Sequence, residues 1–244
     1  MTTLSVNVNK IALLRNSRGH DYPHLLDFVQ RCVDLGVKGI TVHPRPDERH
    51  VRRQDAYDIG ALLADQPDVE FNIEGYPSPS FLQLVSDIKP DQCTLVPDDP
   101  AQLTSDHGWD VAANAGLLQD VSGAFREQGI RSSLFLDADA EAVDQVASTG
   151  ADRIELYTED YARAFATAKE AEVFSQYERA ALRAVELGLG VNAGHDLNLD
   201  NLGRFLQIPG ISEVSIGHGL VVECLEHGIS KVLASYLQIT GEKL

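Results

Sequence analysis

Eight short runs of apolar and β-branched residues recur along the chain, at 4–9, 39–44, 70–75, 92–97, 132–138, 153–158, 189–194 and 213–218. Stretches of helical periodicity separate them. That alternation is the mark of repeated βα units and therefore of a parallel sheet. Leu25, Phe28, Val29, Cys32 and Val33 form one apolar stripe at helical spacing, and Leu220, Val221, Cys224, Leu225, Val232 and Leu233 form another. Gly36, Gly150 and Gly188 stand where such helices should stop. Eight units in 244 residues predict a (β/α)8 TIM barrel, one domain over 1–244, because closing eight parallel strands takes about 250 residues. An open doubly wound sheet is the alternative, and the lack of a Gly-rich loop after the first strand argues against it. The intervals 98–131 and 159–188 are too long for one helix each, which predicts extra helices in both.

Charge narrows the partners. With 37 acidic and 20 basic residues the net charge is -17, so neither nucleic acid nor an anionic membrane fits as a general partner. Any anion must be captured locally. Cys32, Cys93 and Cys224 are few and widely spaced, which suggests neither a disulfide framework nor a zinc pattern. No leader-like apolar region opens the chain, and no segment is apolar for the roughly 20 residues that a bilayer requires. A soluble, cytoplasmic protein is the expectation.

Side chains alternate along a strand, so one set in each run meets the helices and the other meets the barrel axis. The apolar set, including Val6, Ile40, Ile73, Leu95, Leu134, Ile154, Val191 and Val214, should face the helices. The opposite set is polar. It contains Asn7, Asn9, Thr41, His43, Asn72, Glu74, Thr94, Ser133, Asp137, Glu155, Asn192 and Ser215, with Val96 and Phe135 as apolar exceptions. A barrel core is ordinarily filled by branched apolar residues, so this polarity predicts a solvated or ligand-filled pocket. His43 and Glu74 end adjacent strands, and His195 follows the seventh strand in "NAGHD". Two histidines and two carboxylates (Glu74, Glu155) at one rim suit acid–base chemistry. A zinc hydrolase is the competitor, but Asn7-Val8-Asn9 stands where a metal-dependent barrel would show His-x-His, so no metal is expected.

"SIGHGL" puts Gly217 and Gly219 at the end of the last strand, before an apolar helix, where TIM barrels hold phosphate. Arg15 and Arg18 after the first strand, and Arg45, Arg49 and His50 in "TVHPRPDERH", add donors at the same rim. Arg49 is expected to pair with a neighbouring acid. Two anion traps at one mouth suit two phosphorylated small-molecule substrates or one bisphosphate. His20, His24, His107 and His227 are expected at the surface.

Read together, "NVNKIALLRNSRG", "GITVHPRPDERH", "FNIEGYP", "VNAGHDL" and "SIGHGL" closely resemble the pyridoxine 5'-phosphate synthase family, in order and over essentially the whole chain. The resemblance implies a condensation of 1-deoxy-D-xylulose 5-phosphate with 3-amino-2-oxopropyl phosphate to pyridoxine 5'-phosphate, phosphate and water, with no cofactor. It implies His43 and Glu74 as proton acceptors, His195 as proton donor and Glu155 as transition-state stabiliser. Asn7, Arg18, Gly217 and His218 would hold the aminoketone phosphate; Arg45, His50 and Thr104 would hold the sugar phosphate. It also implies a homo-octamer.

The chain departs from the family pattern at two places. Asn9-Lys10 replaces Asp-His in the first motif, where the pair would contact the sugar phosphate, and Asp196 replaces a glycine that would offer its backbone N–H. Lys10 can still donate to a phosphate or hydroxyl, although strand alternation points it away from the axis. A sugar-phosphate aldolase or epimerase shares the barrel and phosphate site, but Glu155 on the sixth strand leaves no inward lysine there for a Schiff base. A sensor of phosphorylated metabolites is the non-enzyme alternative.

Overall fold

The computed structural model describes residues 1–98 and 105–242. Eight parallel strands close a barrel in chain order: β1 (Thr3–Asn7), β2 (Gly39–Val42), β3 (Glu70–Gly75), β4 (Gln92–Leu95), β5 (Arg131–Leu136), β6 (Arg153–Tyr157), β7 (Gly190–Gly194) and β8 (Ile211–Ile216), with β8 pairing back to β1. The expected TIM barrel is therefore present. Between the strands run α1 (Asn9–Asn16), α2 (Leu25–Asp34), α3 (Arg53–Leu63), α4 (Pro79–Ile88), α5 (Val111–Glu127), α6 (Ala140–Val146), α7 (Glu159–Ala164), α8 (Glu170–Glu186) and α9 (Leu202–Phe205). Last come α10 (His218–His227) and α11 (Ile229–Thr240).

Alternation sorts the strand residues as the sequence predicts. Val6, Ile40, Ile73, Leu95, Leu134, Ile154, Val191 and Val214 are fully buried in the core between sheet and helices. Register carries the inward residues around the barrel in inclined rows. One row reads Asn7, Thr41, Asn72, Gln92, Arg131. Another reads Phe135, Glu155, Asn192, Glu213, Thr3. The inclination is the strand tilt that closure demands, and it makes the row that starts at Asn7, at the C-terminal end of β1, descend to Arg131 at the start of β5.

The lower interior is a plug of charges and amides. Arg153 donates to Asn192 at 2.9 Å and Glu213 at 3.2 Å, Asn192 donates to Gln92 at 3.2 Å, and Arg131 donates to Gln92 at 2.9 Å and pairs with Glu70. Asn192, expected from alternation in a ligand pocket, thus belongs to a layer whose members satisfy one another. Above it Val96, Phe135 and Tyr157 form an apolar cluster of their own inside the barrel.

Several local expectations change. β1 stops at Asn7 instead of reaching Asn9, because the Val8 carbonyl accepts the N–H groups of Ile11 and Ala12 and so starts α1. Asparagine favours this turn: Asn7 Oδ1 accepts the Asn9 N–H at 3.1 Å. The interval 159–188 holds two helices as expected, but 98–131 holds only α5 among the described residues. The last apolar stripe is split at Gly228, whose φ of 83° cannot continue a helix, and Leu225 is exposed. Gly36 and Gly188 do have positive φ directly after the C-caps of α2 and α8, whereas Gly150, also at positive φ, lies three residues beyond the C-cap of α6.

Candidate active site

The C-terminal ends of the strands converge on four titratable groups. His43 follows β2, Glu74 lies near the end of β3, Glu155 projects from β6, and His195 follows β7. His43 Nδ1 lies 3.9 Å from Glu74 Oε2, which also receives Asn7 Nδ2 at 3.4 Å. Thr94 donates to Glu155 at 3.2 Å. The His195 ring packs against Phe135 and, edge-on, against Tyr157, with centroids at 5.2 and 5.1 Å. Thr158 donates to the Gly194 carbonyl at 2.7 Å and to the His195 carbonyl, which holds the backbone of the turn. A Cβ at Gly194 would lie 2.6 Å from Glu155 Oε1, so any other residue there would displace that carboxylate.

Burial sets the protonation states. It raises Glu74 well above the carboxylate range, and the negative charges of Glu155 and Asp98 add to it. Burial, then Glu213, pushes Glu155 up to about 8 against the hydrogen bond from Thr94. His43 is held well below the imidazole range by burial and then by the charge of Arg45. Burial lowers His195 too, with Arg45 and Lys10 contributing and Asp196 and Asp98 opposing. Near pH 7 the site therefore holds neutral imidazoles beside a protonated Glu155, groups able to accept and donate protons in turn.

The remaining residues singled out in the sequence fall into three groups. Asn7, Asn9, Lys10, Arg45, His50 and Gly217 reach this mouth. Asn9 Oδ1 accepts the backbone N–H of His43 at 2.9 Å, and Gly217 backs Asn7, where a Cβ would lie 3.2 Å from Asn7 Cβ. The His50 ring meets His43 edge-on at 6.3 Å. Its Nδ1 accepts the Val51 N–H at 2.9 Å, so its Nε2–H remains to donate. Burial, then Arg45 and Lys10, brings His50 down to about 4. Arg45 is buried and ion-paired with Asp98, whose Oδ2 also accepts from Ser105 at 2.7 Å. Lys10 does not follow strand alternation. It stands exposed in the first turn of α1, and its charge acts on both His50 and His195.

A second group lies at the edge. Arg18 and His218 are exposed, the former beyond the end of α1 and the latter at the first position of α10. Asp196 is exposed with φ 58°, the left-handed backbone that a glycine would adopt at that position. A third group leaves the site. Arg15, expected as a rim donor, is buried in a two-pronged pair with Asp55 at 2.6 and 2.7 Å, because α1 turns it towards α3. Arg49 pairs with Asp47 at 2.7 Å as expected, and His20, His24, His107 and His227 are exposed. Thr104 lies outside the described residues.

Three contributors escape the sequence reading. Tyr157 and Glu213 carry the inward phase of their strands, so alternation from Glu155 and Ser215 is the signal that points to both. Asp98 follows β4 in a connection with no periodicity, and only the fold brings it to Arg45. A cavity continues from His43 and Arg45 outward between Arg53, Tyr76 and Phe81, and Asp98 lines it. Among the described residues Asp98 Oδ1 has no partner there.

Residues 4–242 match the family described as pyridoxal phosphate biosynthesis protein PdxJ. The chain belongs to the PdxJ family. It is 52% identical over 237 residues to the pyridoxine 5'-phosphate synthase of Bacteroides thetaiotaomicron, covering 97% of this chain and 98% of that one. The synthase of Porphyromonas gingivalis is 50% identical over the same shares. The synthase of Albidiferax ferrireducens is 46% identical, with 99% and 98% covered. Among solved structures, a mutant tryptophan synthase α-subunit from Pyrococcus furiosus aligns with a TM-score of 0.64 at 13% identity, covering 98% of this chain and 97% of that one. Phosphoribosyl anthranilate isomerase from Thermotoga maritima aligns at 0.63 and 12%, covering 99% of both. These two likenesses concern the barrel alone.

Proposed function

We propose that this chain is a pyridoxine 5'-phosphate synthase in vitamin B6 biosynthesis. It condenses 1-deoxy-D-xylulose 5-phosphate with 3-amino-2-oxopropyl phosphate to pyridoxine 5'-phosphate, phosphate and water, using neither metal nor cofactor. The observation that carries this reading is the convergence of His43, Glu74, Glu155 and His195 at one mouth, in a PdxJ-family barrel. Imine formation, loss of phosphate and aldol-type ring closure need repeated proton transfers and no electron transfer.

His43 and Glu74 take protons from the substrates as these steps proceed. Neutral His43 is a competent base near pH 7, and Glu74, raised by burial, works as a base only when a cationic or hydrogen-bonding substrate favours its ionised form. His195 is neutral at rest, so it must collect a proton released earlier before returning it to a leaving oxygen. Glu155, protonated at rest, donates a hydrogen bond to charge that develops on oxygen. Gly217 is the N-cap and His218 the first residue of the ten-residue α10, where no side chain caps the first N–H groups, so these and Arg18 hold the aminoketone phosphate. Arg45, the Nε2–H of His50, Lys10 and Thr104 hold the sugar phosphate, with Asp196 offering its backbone N–H beside His195.

The direct test mixes purified protein with both phosphates, without added metal or cofactor, and follows pyridoxine 5'-phosphate formation and phosphate release together. Equimolar formation of both supports the synthase. Binding of both substrates without product would point to a sensor and overturn the reading. A cytoplasmic homo-octamer belongs to the same reading by resemblance, and exposed Leu13 and Leu14 on α1 beside Val222 and Leu225 on α10 support burial against a further copy. No helix among the described residues is long and apolar enough to cross a membrane.

A further inference from the structure

The first two strands part at the catalytic end in a way that leaves one N–H group to be accounted for. Val8 donates to the Thr41 carbonyl at 3.1 Å, the last ladder bond between β1 and the β2 edge. In a parallel ladder the Val8 carbonyl would next accept the N–H of His43. That carbonyl is already taken by Ile11 at 3.1 Å and Ala12 at 3.2 Å, because the chain has turned into α1. His43 is buried, so an unpaired N–H there would lose its hydration with nothing in return.

Asn9 fills the gap with its side chain. Its Oδ1 accepts the His43 N–H at 2.9 Å, and its own N–H donates to Asn7 Oδ1 at 3.1 Å. That second bond fixes which way the Asn7 amide faces, and Asn7 Nδ2 then reaches Glu74 Oε2 at 3.4 Å. Gly217 closes the back of Asn7. A continuous path therefore joins His43 to Glu74 through the β1–α1 turn. The two groups do not fix each other directly, since His43 Nδ1 and Glu74 Oε2 are 3.9 Å apart, beyond a hydrogen bond.

We propose that Asn9 is a positioning residue, which extends the sheet ladder by one side chain to hold His43 and, through Asn7, ties it to Glu74. The role rests on the reading of His43 and Glu74 as the proton-transfer pair. It assigns the asparagine to the enzyme's own framework, in place of the substrate contact that the family pattern suggests for this position. A carboxylate there would accept the same bond; an alanine would not.

Asn9→Ala and Asn9→Asp are compared in steady-state turnover and in hydrogen exchange at the His43 amide. Asn9→Ala should lower kcat about 10- to 100-fold, the scale of a small misplacement of a reacting group. KM for both substrates should stay within about threefold, since ground-state binding is untouched. Asn9→Asp should recover most of the turnover, with the acidic limb of its pH profile moved to higher pH by the added negative charge beside the imidazoles. The His43 amide should exchange slowly in the wild type and in Asn9→Asp, and fast in Asn9→Ala. A raised KM with unchanged kcat in Asn9→Ala would make Asn9 a substrate ligand and overturn the proposal, as would equal impairment of the two variants. If Asn9→Ala fails to fold, fast exchange of the His43 amide in the wild type overturns it just as well, and slow exchange with an active Asn9→Asp upholds it. Failure of the underlying reading shows separately, as wild-type turnover in His43→Asn and Glu74→Gln.

Discussion

The barrel interior is polar at both levels, yet the two levels are built on opposite principles. In the lower one, Arg153, Glu213, Asn192, Gln92, Arg131 and Glu70 exchange hydrogen bonds until nearly every donor and acceptor is used. In the upper one the contacts of Glu74 stretch to 3.4 and 3.9 Å, whereas Glu213 below has the Arg153 guanidinium at 3.2 Å. Buried polarity alone does not mark a site. What marks it is polarity left partly unsatisfied, so that a substrate can complete it.

The sharpest way to break this contrast is to disarm the upper level. His43→Asn, Glu74→Gln and His195→Asn should each cut turnover by about 10²- to 10⁴-fold, the range of general acid–base catalysis. Thermal melting should leave all three folded, since none anchors a satisfied network. Wild-type turnover in all three would place the chemistry elsewhere. The converse holds below: Arg153→Met strands Glu213 and should cost about 3 kcal/mol of stability, at the low end for a broken buried pair because Glu213 can take up a proton. Urea denaturation measures that loss, and kcat of the folded fraction should not change. A large fall in kcat instead would show that the lower level takes part in catalysis.

A third test uses pH. Glu155 is pushed up to about 8 and Glu213 to about 7, both above the 4.5 of a free glutamate. The fold thus binds these protons more tightly than the unfolded chain, and the stability they contribute is full at low pH and lost as pH climbs through about 7 and about 8. His50, brought down to about 4 from 6.5, acts in the opposite sense and only below 6.5. Between pH 6.5 and about 8 the carboxylates therefore dominate. Glu155→Gln should flatten the decline of urea midpoints across that window, and an unchanged slope would remove Glu155 as its source. The smallest effect is expected at Asp196→Gly. The φ of 58° already supplies the glycine-like backbone, so stability should move by less than about 1 kcal/mol and kcat/KM by less than about threefold. A larger gain in kcat/KM would mean that the carboxylate itself obstructs the site.

Much of the upper level is legible in the order of residues along the chain. Alternation turns His43, Glu74, Glu155 and Phe135 inward while sending Val6, Ile40 and Leu134 to the helices. It fails where the period ends. Asn9 and Lys10 continue the pattern of β1 on paper, but the chain has already entered α1, so their directions follow a helix. Nor does alternation separate Asn192, committed to the lower plug, from Glu155, which pairs with it in register yet takes its hydrogen bond from Thr94.

The sequence by itself determined the number of strands, their inner and outer faces and the family, because each depends on the local order of residue types. Tertiary structure alone decided which polar groups satisfy one another and which remain available. Arg15 finds Asp55, Arg45 finds Asp98, and Asn9 finds the His43 N–H. Those partners are 40, 53 and 34 residues apart. Closure and tilt of the barrel set their distances, and no local pattern in the chain encodes them.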